Sequence, residues 1–231
     1  MSAPVLLVHG AWGGAWAWGF VQAELEKLGV RSTAIDMPTR SDASARLADD
    51  ATAVRTALEQ FDEPAVVVGH SWAGVTITEA SAGDDRVKHL VYTCAILPED
   101  GMSTGAYMAE DPTPSKIGEI IRATDDGMST VDPEGAREVL FNDVPAETSA
   151  PIIDALGPHV LAVFGEAPTA LGWKDHPSTY ILTTQDRVFS PELQRRMAAN
   201  ATTVVEVDAG HIPVLSRAAE VAKAIAGAAA A

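Results

Sequence analysis

The chain has 231 residues, 32 of them acidic and 16 basic, so its formal net charge is −16 and its isoelectric point lies near 4.6. With 47% hydrophobic and 21% charged residues it has the composition of a globular protein, which excludes a disordered or fibrous chain. A strongly acidic surface repels phosphate backbones and anionic lipids, so we expect neither a nucleic-acid nor a membrane partner. The single cysteine, Cys94, excludes an internal disulfide and a cysteine-based zinc cluster, and it indicates a reducing cytoplasm.

The beginning of the chain carries no basic segment, and its apolar run, Val5 to Val8, is short. Such a run is too short for the core of a signal peptide or for a membrane span. We therefore expect a soluble, unprocessed protein.

Short apolar runs rich in β-branched residues alternate with segments of helical spacing along most of the chain. The predicted strands are Val5 to Val8, Val30 to Ile35, Ala65 to Val68, Val87 to Thr93, Thr179 to Thr183 and Thr203 to Val207. The predicted helices are Phe20 to Leu28, Leu47 to Leu58, Val75 to Ala82, Pro191 to Ala199 and Ala218 to Ala229. This alternation is typical of a parallel sheet flanked by helices. The sequence therefore predicts one α/β domain over residues 1–231, with a mostly parallel sheet of about six strands.

The alternation is interrupted between Leu97 and Lys174, where prolines separate short amphipathic segments such as Pro133 to Phe141 and Pro151 to Leu156. No strand is predicted in this region. We expect residues 98–174 to form a helical lid inserted between the fourth and fifth strands of the sheet. Open α/β folds bind their ligands at the carboxyl edge of the sheet, and the lid would cover that edge.

A serine follows the apolar strand Ala65 to Val68 in the sequence Gly69-His70-Ser71-Trp72-Ala73-Gly74, which leads directly into a predicted helix. A serine at a sharp strand-to-helix turn with small neighbours is typical of a nucleophile elbow. The small residues are needed because the turn strains the serine backbone and packs it against neighbouring elements. The alternative is an ordinary serine cap at the start of a helix.

A serine hydroxyl needs a histidine base, and that histidine needs a carboxylate to hold its ring. Of the six histidines, His211 follows the last predicted strand and precedes the last helix, which is the final position in the order serine, acid, histidine. Asp186 follows the strand Thr179 to Thr183 and is the predicted acid. Asp208, nearer to His211 in the chain, stays open as a rival.

The negative charge of a tetrahedral intermediate requires fixed N–H donors. The backbone amides of Ala11, in the glycine-rich loop after the first strand, and of Trp72, directly after the serine, are the predicted donors. That loop lacks the glycine spacing of a phosphate-binding loop. Trp12 and Trp72 are candidate contacts for an apolar substrate group, whereas Trp16 and Trp18 are interpreted as core or helix-packing residues, and Cys94 as structural.

Together these residues resemble the α/β-hydrolase superfamily, in the branch that holds plant methyl-ester hydrolases, hydroxynitrile lyases and small bacterial esterases. The resemblance rests on four ordered motifs: Val8-His9-Gly10-Ala11 with Gly14-Ala15-Trp16, Gly69-His70-Ser71, Thr183-Thr184-Gln185-Asp186-Arg187-Val188-Phe189 followed by Pro191-Glu192-Leu193-Gln194, and Gly210-His211. It implies Ser71 as nucleophile, His211 as base, Asp186 as acid and the amides of Ala11 and Trp72 as an oxyanion hole. It implies no metal and no organic cofactor.

The activity that we expect is hydrolysis of a small carboxylic ester that carries an apolar or aromatic group. Lyases of this branch typically have a hydroxyl or amide side chain after the histidine of the first loop and a lysine after the catalytic histidine. This chain has Gly10 and Ile212 at those positions, which favours ester hydrolysis and adds both residues to the predicted substrate pocket. A lactonase, a carbon–carbon lyase and a receptor-like binding protein remain alternatives, and a homodimer is left open.

Overall fold

The computed structural model describes residues 2–231, which form two β-sheets and the helices around them. The strands are β1 (Val5–Val8), β2 (Ser32–Ile35), β3 (Ala65–His70), β4 (Val87–Thr93), β5 (Ile121–Ala123), β6 (Met128–Val131), β7 (His159–Val160), β8 (Ser178–Thr183) and β9 (Thr203–Val207). The helices are α1 (Gly19–Lys27), α2 (Leu47–Leu58), α3 (Ala73–Ser81), α4 (Thr104–Glu110), α5 (Ile117–Ile120), α6 (Pro133–Val139), α7 (Ala146–Asp154), α8 (Pro191–Ala198), α9 (Pro213–Ser216) and α10 (Ala218–Ala230). Within residues 2–231, no helix is both long and apolar enough to cross a bilayer.

The main sheet has six strands in the order β2-β1-β3-β4-β8-β9, and every neighbouring pair is parallel. Its strands are those predicted from the sequence, with β2 beginning at Ser32 and β3 continuing to His70. Alternate residues of β1 enter two different hydrophobic clusters, Leu6 on one face of the sheet and Leu7 on the other. The sheet is therefore buried on both faces, which explains why its central strands are apolar throughout.

The inserted segment, residues 98–174, is called the cap below. It contains the helices α4, α5, α6 and α7, but also a three-stranded antiparallel sheet in the order β5-β6-β7, here called the cap sheet. The expectation of an insertion without strands was therefore wrong. Its strands have two to four residues, too short for a clear alternating pattern. The Asp126-Gly127 pair in the turn between β5 and β6 is a hairpin signal that could have revealed them.

The parallel arrangement determines where the candidate site lies. Because β1, β3, β8 and β9 run in the same direction, the chain segments that follow them meet at one edge of the sheet. These segments carry Ala11, Ser71, Asp186 and His211. Residues far apart in the sequence are thus brought together at the carboxyl edge, below the cap.

Candidate active site

Ser71 lies in a strained turn between β3 and α3. Its φ is +57°, a left-handed conformation that costs a side-chain-bearing residue about 1–3 kcal/mol. The backbone around it compensates, since the Ser71 amide donates to the Thr93 carbonyl at 3.2 Å and the Ser71 carbonyl accepts from the Ile96 amide at 3.1 Å. The main chain is thus fixed to β4 and the segment after it, and it presents the side chain at the edge of the sheet.

The small residues around Ser71 are needed for close backbone contacts. A β-carbon on Gly69 would lie 2.9 Å from the Ala73 carbonyl oxygen, which agrees with the predicted need for a small residue there. The tightest position is Gly74, where a β-carbon would overlap with the backbone carbonyl of Ile96. Of these two glycines, Gly74 is therefore the more restrictive position.

The structure brings Ser71, His211 and Asp186 into one hydrogen-bonded chain. The Ser71 hydroxyl lies 2.8 Å from His211 Nε2, and His211 Nδ1 lies 2.9 Å from Asp186 Oδ2. All three residues are buried. The geometry fits a neutral imidazole that donates from Nδ1 to the carboxylate and accepts the serine proton at Nε2.

Four further donors surround the Asp186 carboxylate. Its Oδ1 accepts from the amides of Val188 at 2.7 Å and Phe189 at 3.1 Å, and its Oδ2 accepts from Gln194 Nε2 at 3.0 Å and from the Thr183 hydroxyl at 3.1 Å. A buried carboxylate requires such donors in place of water. Gln194, which is fully buried on α8, was not among the predicted site residues. A glutamine on the apolar side of that helix was the available signal.

The rival acid, Asp208, is placed differently. It is exposed, and its carboxylate accepts from the Thr184 hydroxyl at 3.1 Å and from Gln185 Nε2 at 3.2 Å. The Nδ1 atom of His211 bonds to Asp186 instead. The geometry therefore favours Asp186 as the partner of the histidine.

Two buried side chains hold the backbone of the histidine loop. His70 Nε2 lies 2.8 Å from the His211 carbonyl oxygen, and the thiol of Cys94 lies 3.3 Å from the same oxygen. Burial and the neighbouring His211 lower the pKa of His70 to about 3, so its ring is neutral and donates from Nε2. Burial raises the pKa of the Cys94 thiol, which therefore stays protonated and donates as well.

His70, Cys94 and His211 also offer ligand atoms that lie within 4.8 Å of one another, a spacing that a metal ion would accept. Each of these groups already has a protein partner: the first two donate to the His211 carbonyl, and the ring of His211 bonds to Ser71 and Asp186. A metal ion would have to displace these hydrogen bonds. The cluster fits an acid–base site without a metal better than a metal centre.

The predicted oxyanion donors lie beside Ser71. Within residues 2–231, neither the Ala11 nor the Trp72 amide donates a hydrogen bond to the protein. The loop approaches the serine closely at Gly10, where a β-carbon would lie 2.9 Å from His70 Nδ1 and 3.0 Å from the Ser71 β-carbon. Glycine is therefore required at this position for the close approach of the loop to Ser71.

Two apolar cavities meet at Ser71 and share Ala11, Trp12 and Val188 in their walls. The first cavity has a volume of about 130 Å³ and adjoins the histidine. Its further wall residues include Gly10, Trp16, Phe20, Leu140, His211 and Ile212. The second cavity has a volume of about 430 Å³ and extends under the cap. Its further wall residues include Trp72, Met108, Ile117, Leu161, Phe164 and Phe189.

The four tryptophans predicted near the site differ in position. Trp12 lines both cavities and Trp72 lines the second. Trp18 is 1% exposed and belongs to the core, as predicted. Trp16 is 40% exposed and lines the first cavity, so the interpretation of this residue as a core or helix-packing residue was wrong. It lies in a short 3-10 helix, Ala15–Trp18, directly before α1.

A family model described as "Alpha/beta hydrolase family" matches residues 5–224. The chain belongs to this family, which confirms the predicted fold class and the family resemblance. It is 30% identical to an alpha/beta hydrolase, nvfD, of Aspergillus novofumigatus over 94% of this chain and 92% of that one. It is 27% identical to Methylesterase 2 of Arabidopsis thaliana, over 92% and 90% of the two chains. A solved pyrethroid hydrolase from Sphingobium faniae is 25% identical, with a TM-score of 0.86, over 100% of this chain and 98% of that one.

Proposed function

We propose that this protein is a serine hydrolase that cleaves small carboxylic esters, with Ser71 as nucleophile, His211 as base and Asp186 as acid. The observation that carries the proposal is the continuous hydrogen-bonded chain from the Ser71 hydroxyl through His211 to Asp186, at the junction of two apolar cavities. Relatives with the names esterase and methylesterase support the ester as substrate class.

The reaction has two halves. In the first, Ser71 Oγ forms a bond to the ester carbonyl carbon while its proton passes to His211 Nε2. The resulting oxyanion accepts hydrogen bonds from the Ala11 and Trp72 amides, and one such donor contributes about 10²–10³-fold to kcat. The intermediate then expels the alcohol, which takes the proton from His211. In the second half, His211 removes a proton from water, the water oxygen attacks the acyl carbon, and Ser71 leaves with the proton.

The cavities indicate how an ester lies in the site. The leaving oxygen must receive the proton of His211, so the alcohol side of the ester faces the first cavity, which His211 lines. The acyl side then extends into the second cavity. Because both walls are mainly apolar, the preferred ester carries apolar groups, and the second cavity admits the larger one.

Ile212 favours hydrolysis over cleavage of a cyanohydrin. Its apolar side chain lines the first cavity beside the histidine, where a departing cyanide would need a positive charge. An alcohol that leaves with the proton of His211 needs no such charge. Cyanide release from mandelonitrile or acetone cyanohydrin should therefore be negligible beside ester hydrolysis.

The test combines labelling with turnover. A fluorophosphonate probe should label the wild-type protein once, at Ser71, and p-nitrophenyl acyl esters should be turned over many times. Ser71→Ala should lose the labelling and at least about 10⁴-fold in kcat while keeping its circular dichroism spectrum. Labelling of Ser71→Ala at the wild-type rate would refute the nucleophile, and product formation that stops at one equivalent would indicate a receptor-like binder.

The compartment and the assembly stay predictions. The single cysteine, Cys94, is buried and unpaired. This is compatible with the reducing cytoplasm that we propose as the location. The alternative assemblies are a monomer and a homodimer, and size-exclusion chromatography with light scattering distinguishes them by the molar mass in solution.

A further inference from the structure

The conformation of Trp12 is unusual, and the cap holds it. Trp12 has a φ of +60°, a left-handed conformation that a residue with a bulky side chain rarely adopts. Its carbonyl oxygen accepts from the Gly157 amide at 2.9 Å, and its indole Nε1 donates to the Ser129 hydroxyl at 3.2 Å. Gly157 and Ser129 both belong to the cap. The strained residue is therefore bonded to the cap through both its main chain and its side chain.

Ser129 connects this contact to the cap sheet. The side chain is fully buried on β6, opposite His159 on β7. While its oxygen accepts from Trp12, its hydroxyl donates to the His159 carbonyl oxygen at 2.9 Å. One hydroxyl thus uses both its donor and an acceptor position, and it joins the indole to two strands of the cap sheet.

The ring of His159 packs against both tryptophans of the site. It lies 4.8 Å from the Trp72 ring and 6.4 Å from the Trp12 ring between centroids, edge-on in both cases. Neither ring nitrogen has a hydrogen-bond partner in residues 2–231. The imidazole therefore acts by packing alone, and the cap sheet touches the two chain segments that carry the proposed oxyanion donors.

The core holds the neighbouring carbonyls of the same loop. The Gly10 carbonyl bonds to the His9 ring at 2.8 Å, and the Gly13 carbonyl accepts from Arg40 Nε at 2.6 Å. Trp12 lies between these two residues, and its hydrogen bonds are made with the cap residues Gly157 and Ser129. The Ala11 amide shares one peptide plane with the Gly10 carbonyl, and the other end of Ala11 is joined directly to Trp12. A shift of the Trp12 backbone therefore displaces Ala11 and the plane that carries its amide.

We propose that Ser129 is a positioning residue for the oxyanion hole, which it holds in place through the Trp12 indole. The inference rests on the proposed function, since it concerns the donor that stabilises the transition state of ester cleavage. Without this hydroxyl the Trp12 backbone loses one of the contacts that offset its strain, and the Ala11 amide moves away from the oxyanion. Misplacement by about 1 Å can cost 10²-fold in rate without contact between the mutated residue and the substrate.

The experiment compares Ser129→Ala with a matched control, Ser149→Ala. Ser149 is also fully buried in the cap, and its hydroxyl donates to the Ala146 carbonyl within its own helix. Ser129→Ala should lower kcat for p-nitrophenyl esters by about tenfold to hundredfold and change KM by less than about threefold. Ser149→Ala should keep the wild-type kcat.

Two inhibitors separate positioning from general damage to the site. An aryl trifluoromethyl ketone forms a hemiketal with Ser71 whose oxygen occupies the oxyanion hole, whereas the matching carbinol binds without reacting. Ser129→Ala should raise the Ki of the ketone by the same factor as it lowers kcat and leave the Ki of the carbinol unchanged. Equal losses for ketone and carbinol, or a kcat equal to that of Ser149→Ala, would overturn the proposal.

A second variant tests the same bond from its other end. Trp12→Phe keeps an aromatic ring and removes the indole N–H. If Ser129→Ala does not fold, Trp12→Phe serves as the test in its place. Its effect on the ratio of the two Ki values should match that of Ser129→Ala, and the double variant should lose little more, because both remove one interaction. Additive losses would contradict the inference. If the wild type neither hydrolyses esters nor prefers the ketone, the proposed function itself fails.

Discussion

The carboxyl edge of the main sheet and the cap contribute different things to the site. The edge supplies Ser71, His211 and Asp186, each hydrogen-bonded to its neighbours and buried. The cap supplies much of the apolar wall of the second cavity, including Met108 and Phe164. In the proposed enzyme the core therefore carries out the chemistry and the cap selects the substrate. The Trp12 contacts are an exception, because through them the cap contacts the loop that carries the proposed oxyanion donor, Ala11.

The largest expected effect tests the carboxylate of the core. Asp186→Asn should lower kcat by about 10⁴-fold, because an amide no longer holds the histidine ring in the required tautomer. Asp208→Asn is the matched control, since it removes an exposed carboxylate from the same edge, and it should stay near wild type. Steady-state kinetics with a p-nitrophenyl ester measures both. If Asp208→Asn lost its activity and Asp186→Asn kept the wild-type kcat, Asp208 and not Asp186 would be the catalytic acid.

The second prediction contrasts two glycines, one from each region. Gly74→Ala places a methyl group against the Ile96 backbone and should destabilise the protein by about 3 kcal/mol, because neither backbone can yield. A β-carbon on Gly118, in the cap helix α5, would meet no atom within 4 Å. Gly118→Ala should therefore stay within about 1 kcal/mol of wild type. Urea unfolding measures both, and equal losses would remove the contrast.

The third prediction concerns a titratable group of the cap. Burial lowers the pKa of His159 to about 3, so the folded protein keeps this ring neutral while the unfolded chain protonates it below its usual pKa near 6.5. The contribution of His159 to the free energy of unfolding is thus complete above a pH of about 6.5. It decreases as the pH falls, and about 2 kcal/mol of it is lost at pH 5. Between pH 7 and pH 5, the free energy of unfolding should therefore fall by about 2 kcal/mol less in His159→Leu than in the wild type.

The control for this pH dependence is Ser149→Ala, which changes a fully buried side chain of the cap without removing a titratable group. It should keep the wild-type difference in the free energy of unfolding between pH 7 and pH 5. If His159→Leu also keeps the wild-type difference, the pKa of His159 is not lowered in the folded protein, and this prediction is wrong.

The smallest effect tests the role of the cap in selecting the ester. Met108→Trp fills part of the second cavity and should lower kcat/KM for p-nitrophenyl octanoate relative to p-nitrophenyl acetate by about tenfold, since one apolar contact discriminates by about 1–3 kcal/mol. Met102→Trp changes another half-buried cap methionine outside the cavity wall and should keep the wild-type preference. An equal loss for both esters would contradict the placement of the acyl group.

The two regions also differ in how far the sequence predicted them. All six strands of the main sheet were predicted, the central ones because strands buried on both faces are continuous apolar runs such as Val66-Val67-Val68. The cap sheet was missed, because β7 has two residues and β6 has a polar residue, Ser129, at a buried position. Its strands exist through pairing with one another, which a local pattern does not report.

For the candidate site, the sequence by itself determined the identity and order of the chemical groups, Ser71, Asp186 and His211, since each follows a recognisable strand. It left the choice between Asp186 and Asp208 open, and it gave no sign of the contact between Ser129 and Trp12. Those depend on distances between segments as much as 117 residues apart in the chain. Only the tertiary structure decided them, because hydrogen bonds of about 3 Å between distant residues depend on the packing of the whole chain.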